Sequence, residues 1–217
     1  VKRAVIWDLD GVLVDSHRAH FRAWESVAAE YDLPFDERIF TDTFGMNNHG
    51  VLTRWLGERW TLELERKMAR RKEVLYRQEV KRDLRALPGA LDWLSRLRRA
   101  GWRQALGSSA PWANIDVVLD GLGLREYLDA VCSGQDLSSK PDPALFLSAA
   151  RALGVAPTRC VVVEDAPTGI EAARRARMRC VAVTTTHGVE TFGDADVVTP
   201  TLDALLPDTF DRLVPRA

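Results

Sequence analysis

Short, mostly apolar runs at residues 4–7, 104–107, 130–132, 160–163, 180–184 and 197–198 are partly β-branched and read as strands that could be covered on both faces. Between them the apolar spacing turns helical. Ile115, Val118, Leu119 and Leu122 fall at i, i+3, i+4 and i+7, and Phe146, Ala149, Ala150 and Leu153 repeat that pattern. Asp142 followed by Pro143 predicts a helix start, Gly154 predicts its stop, and Thr168 with Glu171 has the form of a capping box. Strands alternating with helices predict an α/β fold: a doubly wound, parallel-sheet, Rossmann-like core.

The alternation lapses between residues 16 and 83. There Phe21, Trp24, Ala28 and Tyr31 form one helical stripe, and the run 63–85 mixes charges of both signs at helical spacing, which predicts a solvated helix face. The expected organisation is a catalytic core from residues 1–15 and 84–217, with an α-helical cap domain inserted at 16–83. Hinges are expected near residues 14–16 and 83–88.

Composition narrows the function classes. With 30 basic and 31 acidic residues the formal charge is -1, which predicts neither a nucleic-acid partner nor attraction to an anionic membrane. No apolar run is long enough to span a bilayer and no secretory leader pattern is evident, so a cytoplasmic protein is expected. Cys132, Cys160 and Cys180 form no CxxC pair and read as small buried hydrophobes in a reducing compartment.

Candidate chemistry gathers at the strand ends. The first strand runs into Asp8-Leu9-Asp10-Gly11, two carboxylates that are costly to leave unpaired beside apolar neighbours. The spacing is not that of an EF-hand, since Gly11 comes too early and no glutamate closes the loop. Ser108 and Ser109 end the second core strand, where a hydroxyl and helix-start N–H groups suit a phosphate oxygen. Lys140 lies in Ser139-Lys140-Pro141-Asp142-Pro143, a proline-stiffened loop that would hold its ammonium in place. Glu164 and Asp165 end the apolar run 160–163. Each feature alone is compatible with a helix cap, a polar turn or a surface lysine. Ligands of doubly wound sheets bind outside the carboxyl ends of the strands. Carboxylates for a hard cation, with a lysine and a hydroxyl for an anion, together describe a phosphate-plus-magnesium site.

These four motifs, in this order and over essentially the whole chain, resemble the haloacid dehalogenase superfamily, in the branch of β-phosphoglucomutase-like phosphatases and mutases with a small helical cap. The resemblance implies an Asp8 nucleophile that forms an aspartyl-phosphate, and Asp10 as general acid and base. It implies Ser108 and Lys140 on the phosphoryl oxygens. Mg2+ would be held by Asp8, the Asp10 carbonyl and Asp165, with Glu164 as a direct or supporting partner. Carbon–halogen cleavage is disfavoured, because dehalogenases of this fold lack the second aspartate. His20, Gly45, Asn48, Lys72, Ser109 and Asn114 are the candidate substrate-binding residues. Asn48 stands near the position where the mutase places an arginine on its substrate's distal phosphate, and an amide supplies no such clamp. The expected reaction is hydrolysis of a small phosphorylated metabolite, a sugar phosphate before others, by a monomer. A phosphosugar mutase is the alternative, and a non-catalytic binding protein of the same fold is a further one.

Overall fold

The computed structural model describes residues 2–216. Six strands form one parallel sheet: β1 (Ala4–Trp7), β2 (Arg103–Ser108), β3 (Ala130–Ser133), β4 (Cys160–Glu164), β5 (Arg179–Val183) and β6 (Val197–Thr199), in the order β3-β2-β1-β4-β5-β6. Each of the six contains or overlaps a predicted apolar run. For β1, β2, β4 and β5 the reason is physical: a strand buried on both faces is apolar at nearly every position, whereas the edge strands β3 and β6 are only partly buried.

The two faces of the sheet are covered separately. Val5, Trp7, Leu106, Val161, Val163 and Val181 face one cluster together with α5 (Ala90–Arg99) and α6 (Trp112–Gly121). Ala4, Ile6, Ala105, Cys160, Val162 and Ala182 face the other, with α7 (Ala144–Leu153) and α8 (Pro167–Arg175). Successive residues of one strand therefore feed opposite cores, as period-2 geometry requires. Trp7 is fully buried and donates its indole N–H to Gln104 Oε1 at 3.0 Å, a packing role. Cys160 and Cys180 are buried and Cys132 is half-buried; all three are free thiols.

Helix ends follow the sequence signals unevenly. Gly154 takes the left-handed conformation (φ 62°, ψ 40°) that closes α7, and Asp142 Oδ1 accepts the Ala144 N–H at its start. The expected capping box at Thr168 does not form. Pro167 opens α8 one residue earlier, Thr168 Oγ1 is buried without a partner, and Glu171 pairs with Arg174 and Arg175 instead.

Between β1 and β2 the chain inserts α1 (His17–Glu30), α2 (Glu37–Thr43), α3 (Asn48–Leu56) and α4 (Leu62–Val80), followed by α5 of the core. Trp24, Val27, Phe40, Phe44, Val51, Leu52, Leu56 and Met68 build an apolar cluster of their own there. The two connecting segments run beside each other: Asp15 N–H donates to the Arg85 carbonyl at 3.1 Å and Leu87 N–H to the Leu13 carbonyl at 3.1 Å. None of the described helices is long and apolar enough to cross a membrane.

Candidate active site

The sheet order changes direction at β1. From β1 the chain moves outward to β2 and β3, then returns to the other side of β1 for β4. The crevice at such a switch point, beyond the strand C-termini, is where open α/β sheets bind ligands. Asp8 follows β1, Ser108 ends β2, and Glu164 ends β4 with Asp165 next. Asp8 N–H donates to the Val163 carbonyl at 3.0 Å, extending the β1–β4 ladder and holding the two acidic ends in register.

Lys140 joins them. Its Nζ lies 2.6 Å from Asp8 Oδ1 and 2.5 Å from Glu164 Oε1, with only 1% of the lysine side chain exposed. The other Glu164 oxygen accepts the backbone N–H groups of Asp165 and Ala166 at 2.7 and 2.8 Å. Both Glu164 oxygens are thus engaged, and the side chain acts as the lysine's counter-charge. Gly169 makes room for it, since a Cβ there would meet Glu164 Oε1 at 1.9 Å. Burial pulls the Lys140 pKa down, but Asp8 and Glu164 more than offset it and leave the ammonium firmly charged.

The carboxylates diverge electrostatically. Burial, only partly countered by Lys140, lifts Asp8 to about 7. Asp165 is pushed well above the ordinary carboxylate range by burial and by its neighbours Glu164 and Asp8. Burial also works upward on Asp10, but the charge of His20 and the hydrogen bond from Ser16 outweigh it and hold Asp10 at about 2. Asp10 Oδ1 receives Ser16 Oγ at 2.6 Å and the Tyr76 hydroxyl at 3.2 Å. His20 Nε2 stands 3.1 Å from the same oxygen, at ion-pair distance but without hydrogen-bond alignment, so its pull is chiefly that of its charge. The His20 ring stacks on Tyr76 at 4.0 Å between centroids.

The residues present fit a magnesium ion. Asp8 and Asp165 are two buried carboxylates raised first by burial and then by neighbouring acids, Glu164 and Asp10 for Asp8 and Glu164 and Asp8 for Asp165, a crowding that a cation relieves. A Cβ at Gly11 would lie 2.0 Å from Asp165 Oδ2, so only glycine, here at φ 79°, lets that carboxylate reach the loop carrying Asp10. Thr186 Oγ1 lies 2.7 Å from Asp165 Oδ2 and fixes its orientation. Among the described residues no three His, Cys, Asp or Glu side chains form a closed cage. Two carboxylates and a carbonyl, with water completing the shell, suit magnesium, which retains several waters when bound.

A pocket of about 50 Å³ lies between the insertion and the sheet edge, and its walls include Asp8, Asp10, His20, Gly45, Asn48, Lys72, Ser108 and Ser109. Sequence-predicted residues from both parts of the chain therefore meet at one place. Ser108 is buried, and its Oγ accepts the Ala110 N–H at 3.1 Å, leaving the hydroxyl proton to donate. Ser109 instead donates to the Gly45 carbonyl at 2.9 Å and ties the 44–48 loop to the core. Asn114 is fully buried behind the pocket wall, hydrogen-bonded to Glu73 and Arg77.

Sequence reasoning missed Ser16, Glu73 and Tyr76. The run 63–85 predicts a solvated face, whereas α4 buries Met68, Lys72, Glu73, Tyr76 and Val80. The recurrence of Met68, Tyr76 and Val80 at helical spacing, with Lys72 among them, was the available signal.

The haloacid dehalogenase-like hydrolase family matches residues 2–177. The chain belongs to that family. Within it the chain falls in the β-phosphoglucomutase-like branch with a helical cap. It is 32% identical to β-phosphoglucomutase of Bacillus subtilis (strain 168) over 191 residues, covering 83% of each chain. It is also 32% identical to fructose-1-phosphate phosphatase of Escherichia coli (strain K12) over 189 residues, covering 82% of this chain and 95% of that protein. The structure of β-phosphoglucomutase from Clostridium difficile superposes with a TM-score of 0.88 at 27% identity, over 98% of this chain and 97% of that one.

Proposed function

We propose that this member of the family is a magnesium-dependent phosphatase that hydrolyses a small phosphorylated metabolite, a sugar phosphate before others, through an aspartyl-phosphate on Asp8. The observation that carries the reading is the buried Lys140 bridging Asp8 and Glu164, with Asp10 two residues along held by groups of the insertion. A carboxylate beside a fixed ammonium at a sheet switch point is placed to receive a phosphoryl group. Relatives named hexitol phosphatase B and fructose-1-phosphate phosphatase, both of Escherichia coli (strain K12), support the substrate class.

Asp8 would attack phosphorus as the bond to the leaving oxygen breaks, and Asp10 would give that oxygen its proton. Asp10 then takes a proton from water, whose oxygen attacks phosphorus and releases Asp8. A carboxyl at about 2 is ionised at neutral pH. To act as the acid it would take up a proton from solvent or from a substrate monoanion, and the negative charge of the incoming phosphoryl group beside it raises its proton affinity. Lys140 and the Ser108 hydroxyl would hold phosphoryl oxygens as their charge develops. Asp8, Asp165 and the Asp10 carbonyl would hold Mg2+, which when bound offsets phosphoryl charge and keeps Asp8 ionised. Glu164, with both oxygens engaged, supports Lys140 in this reading and does not ligate the metal.

The core of residues 1–15 and 84–217 would carry this chemistry, and the helices of 16–83 would act as a mobile cap over it. Phosphate release from a panel of phosphomonoesters with Mg2+, run for wild type and Asp8→Asn, tests the reading. Release from one substrate class that drops at least a thousandfold in the variant is expected. Release that survives Asp8→Asn in pure protein would overturn the covalent route. A phosphosugar mutase is the second reading, favoured by the likeness to β-phosphoglucomutases and by Lys72 and His20 on the pocket wall. Conversion of β-glucose 1-phosphate to the 6-phosphate with little free phosphate would select it.

A further inference from the structure

Glu73 is a carboxylate in the wall of the substrate pocket, 7% exposed, on the insertion's side. Its Oε1 accepts from Asn48 Nδ2 at 2.8 Å and from Lys72 Nζ at 3.0 Å, and its Oε2 accepts from Asn114 Nδ2. Asn114 in turn accepts from Arg77 at 2.9 Å. The acid is thus locked in one orientation by three side chains from three helices, α3, α4 and α6.

This arrangement decides what the insertion can offer to the far end of a substrate. Among the described residues Lys72 is the one lysine on the pocket wall and no arginine joins it, and it is held beside the rings of Trp24 and Tyr76 at 5.4 and 5.2 Å. Glu73 cancels its charge. Burial pushes the Glu73 carboxyl up, but Lys72 and the Asn48 hydrogen bond more than offset this and keep it ionised. A second phosphate would therefore meet an anion with no unpaired cation beside it, and desolvating it there is costly. A hydroxyl meets the opposite situation. A carboxylate has about four lone-pair sites, three of which are used here, and Asn48 keeps its amide oxygen as a further acceptor.

We propose that Glu73 is the specificity-determining residue of this pocket, selecting monophosphates whose leaving group is neutral and hydroxyl-bearing and rejecting bisphosphates. The assignment rests on the reading of the site as one for phosphomonoesters, and deepens it.

The test is calorimetric and needs no turnover. Binding of glucose 1-phosphate and of glucose 1,6-bisphosphate, at fixed Mg2+, is compared in Asp8→Asn and in Asp8→Asn/Glu73→Gln. The pair fructose 1-phosphate and fructose 1,6-bisphosphate serves as a second probe set. Asp8→Asn should bind the monophosphate more tightly. Glu73→Gln, which leaves Lys72 uncompensated, should move the monophosphate-to-bisphosphate preference by about tenfold or more toward the bisphosphate. Glu73→Asp should retain the original preference. A preference unchanged within twofold in a variant that melts cooperatively would overturn the proposal. If Glu73→Gln fails to fold, the unmodified pocket still decides: tighter binding of the bisphosphate by Asp8→Asn sinks the idea. Binding of neither probe pair also sinks it. Failure of the phosphatase reading is seen separately, as absent phosphate release from every monoester by wild type while the binding preference remains measurable.

Discussion

Lys140 lies between Asp8 and Glu164 at 2.6 and 2.5 Å, with 1% of its side chain exposed. Replacing it with methionine preserves much of the packing but strands two buried carboxylates. Breaking a buried ion pair from one side typically costs about 3–5 kcal/mol. Lys140→Met is therefore expected to lower unfolding stability by that order as well as abolish turnover, measured as the shift in denaturant midpoint. A loss under about 1 kcal/mol would mean that Glu164 and Asp8 take up protons at little cost. Asp10 gives the pH dependence its sign. Its folded pKa of about 2 lies below the ordinary carboxylate value of 3.8, so the unfolded chain binds the proton more readily between those values. The stabilisation is fully present above about pH 4 and is lost as pH falls through about 2. By linkage the difference corresponds to about 2 kcal/mol. Asp10→Asn should remove that part of the acid-induced decline, and unfolding curves for the two proteins between pH 5 and 2 should converge toward the acid end. Parallel curves would show that His20 and Ser16 do not hold Asp10 as described.

At the scale of elements, the loop between α2 and α3 carries the contact between insertion and core. Gly45 has φ 83°, and a Cβ there would stand 2.9 Å from Ala166 Cβ. Gly45→Ala brings left-handed backbone strain of about 1–2 kcal/mol and pushes the loop off the core. The expected outcome is a raised KM and a lowered kcat with little change in the melting of the sheet, because the loop is not part of the sheet's core. A variant with wild-type kinetics would show that the loop need not sit against Ala166. Legibility in the sequence divides along the same lines. Strand β4 is readable because Cys160 to Val163 is buried on both faces, and its end is readable because Glu164 and Asp165 interrupt an apolar run. The motif residues at strand ends could be found because such positions converge in any doubly wound sheet. Helix α4 was opaque for the opposite reason: Lys72 and Glu73 are buried as a mutually neutralising pair, which in sequence looks the same as a solvated charge pair. Thr168 shows a similar limit, since Pro167 can open a helix without any side-chain cap.

At the scale of the whole molecule, the pocket volume of about 50 Å³ sets a requirement. Pockets for small-molecule ligands run from about 300 Å³ upward, so a substrate of the proposed class is expected to enter by outward movement of the insertion. Beyond the two connecting segments, polar contacts join insertion to core through the bonds of Ser109 to Gly45, Tyr76 to Asp10, and Glu73 and Arg77 to Asn114, and at three further points. Ser139 Oγ accepts the Asn47 N–H at 3.2 Å, Asn47 Nδ2 donates to the Leu137 carbonyl at 3.0 Å, and His187 Nε2 meets the Thr41 carbonyl at 3.2 Å. The last three are single hydrogen bonds of modest net strength, and a rotation about the paired segments near Asp15 and Arg85 would exchange them, together with the bonds of Glu73 and Arg77 to Asn114, for water. Gly50 and Ser139 offer a direct way to test this opening. A Cβ on Gly50 would lie 3.0 Å from Ser139 Cβ, within about half an ångström of disulfide geometry. The double variant Gly50→Cys/Ser139→Cys should be active when reduced and lose nearly all turnover when oxidised, with dithiothreitol restoring it. The bridge lies on the insertion–core seam and replaces neither Asp8, Asp10, Ser108 nor Lys140, so loss on oxidation reports the locked seam and not a damaged catalytic residue. Full turnover by protein shown by mass to be cross-linked would mean that substrate reaches Asp8 without movement of the helical insertion.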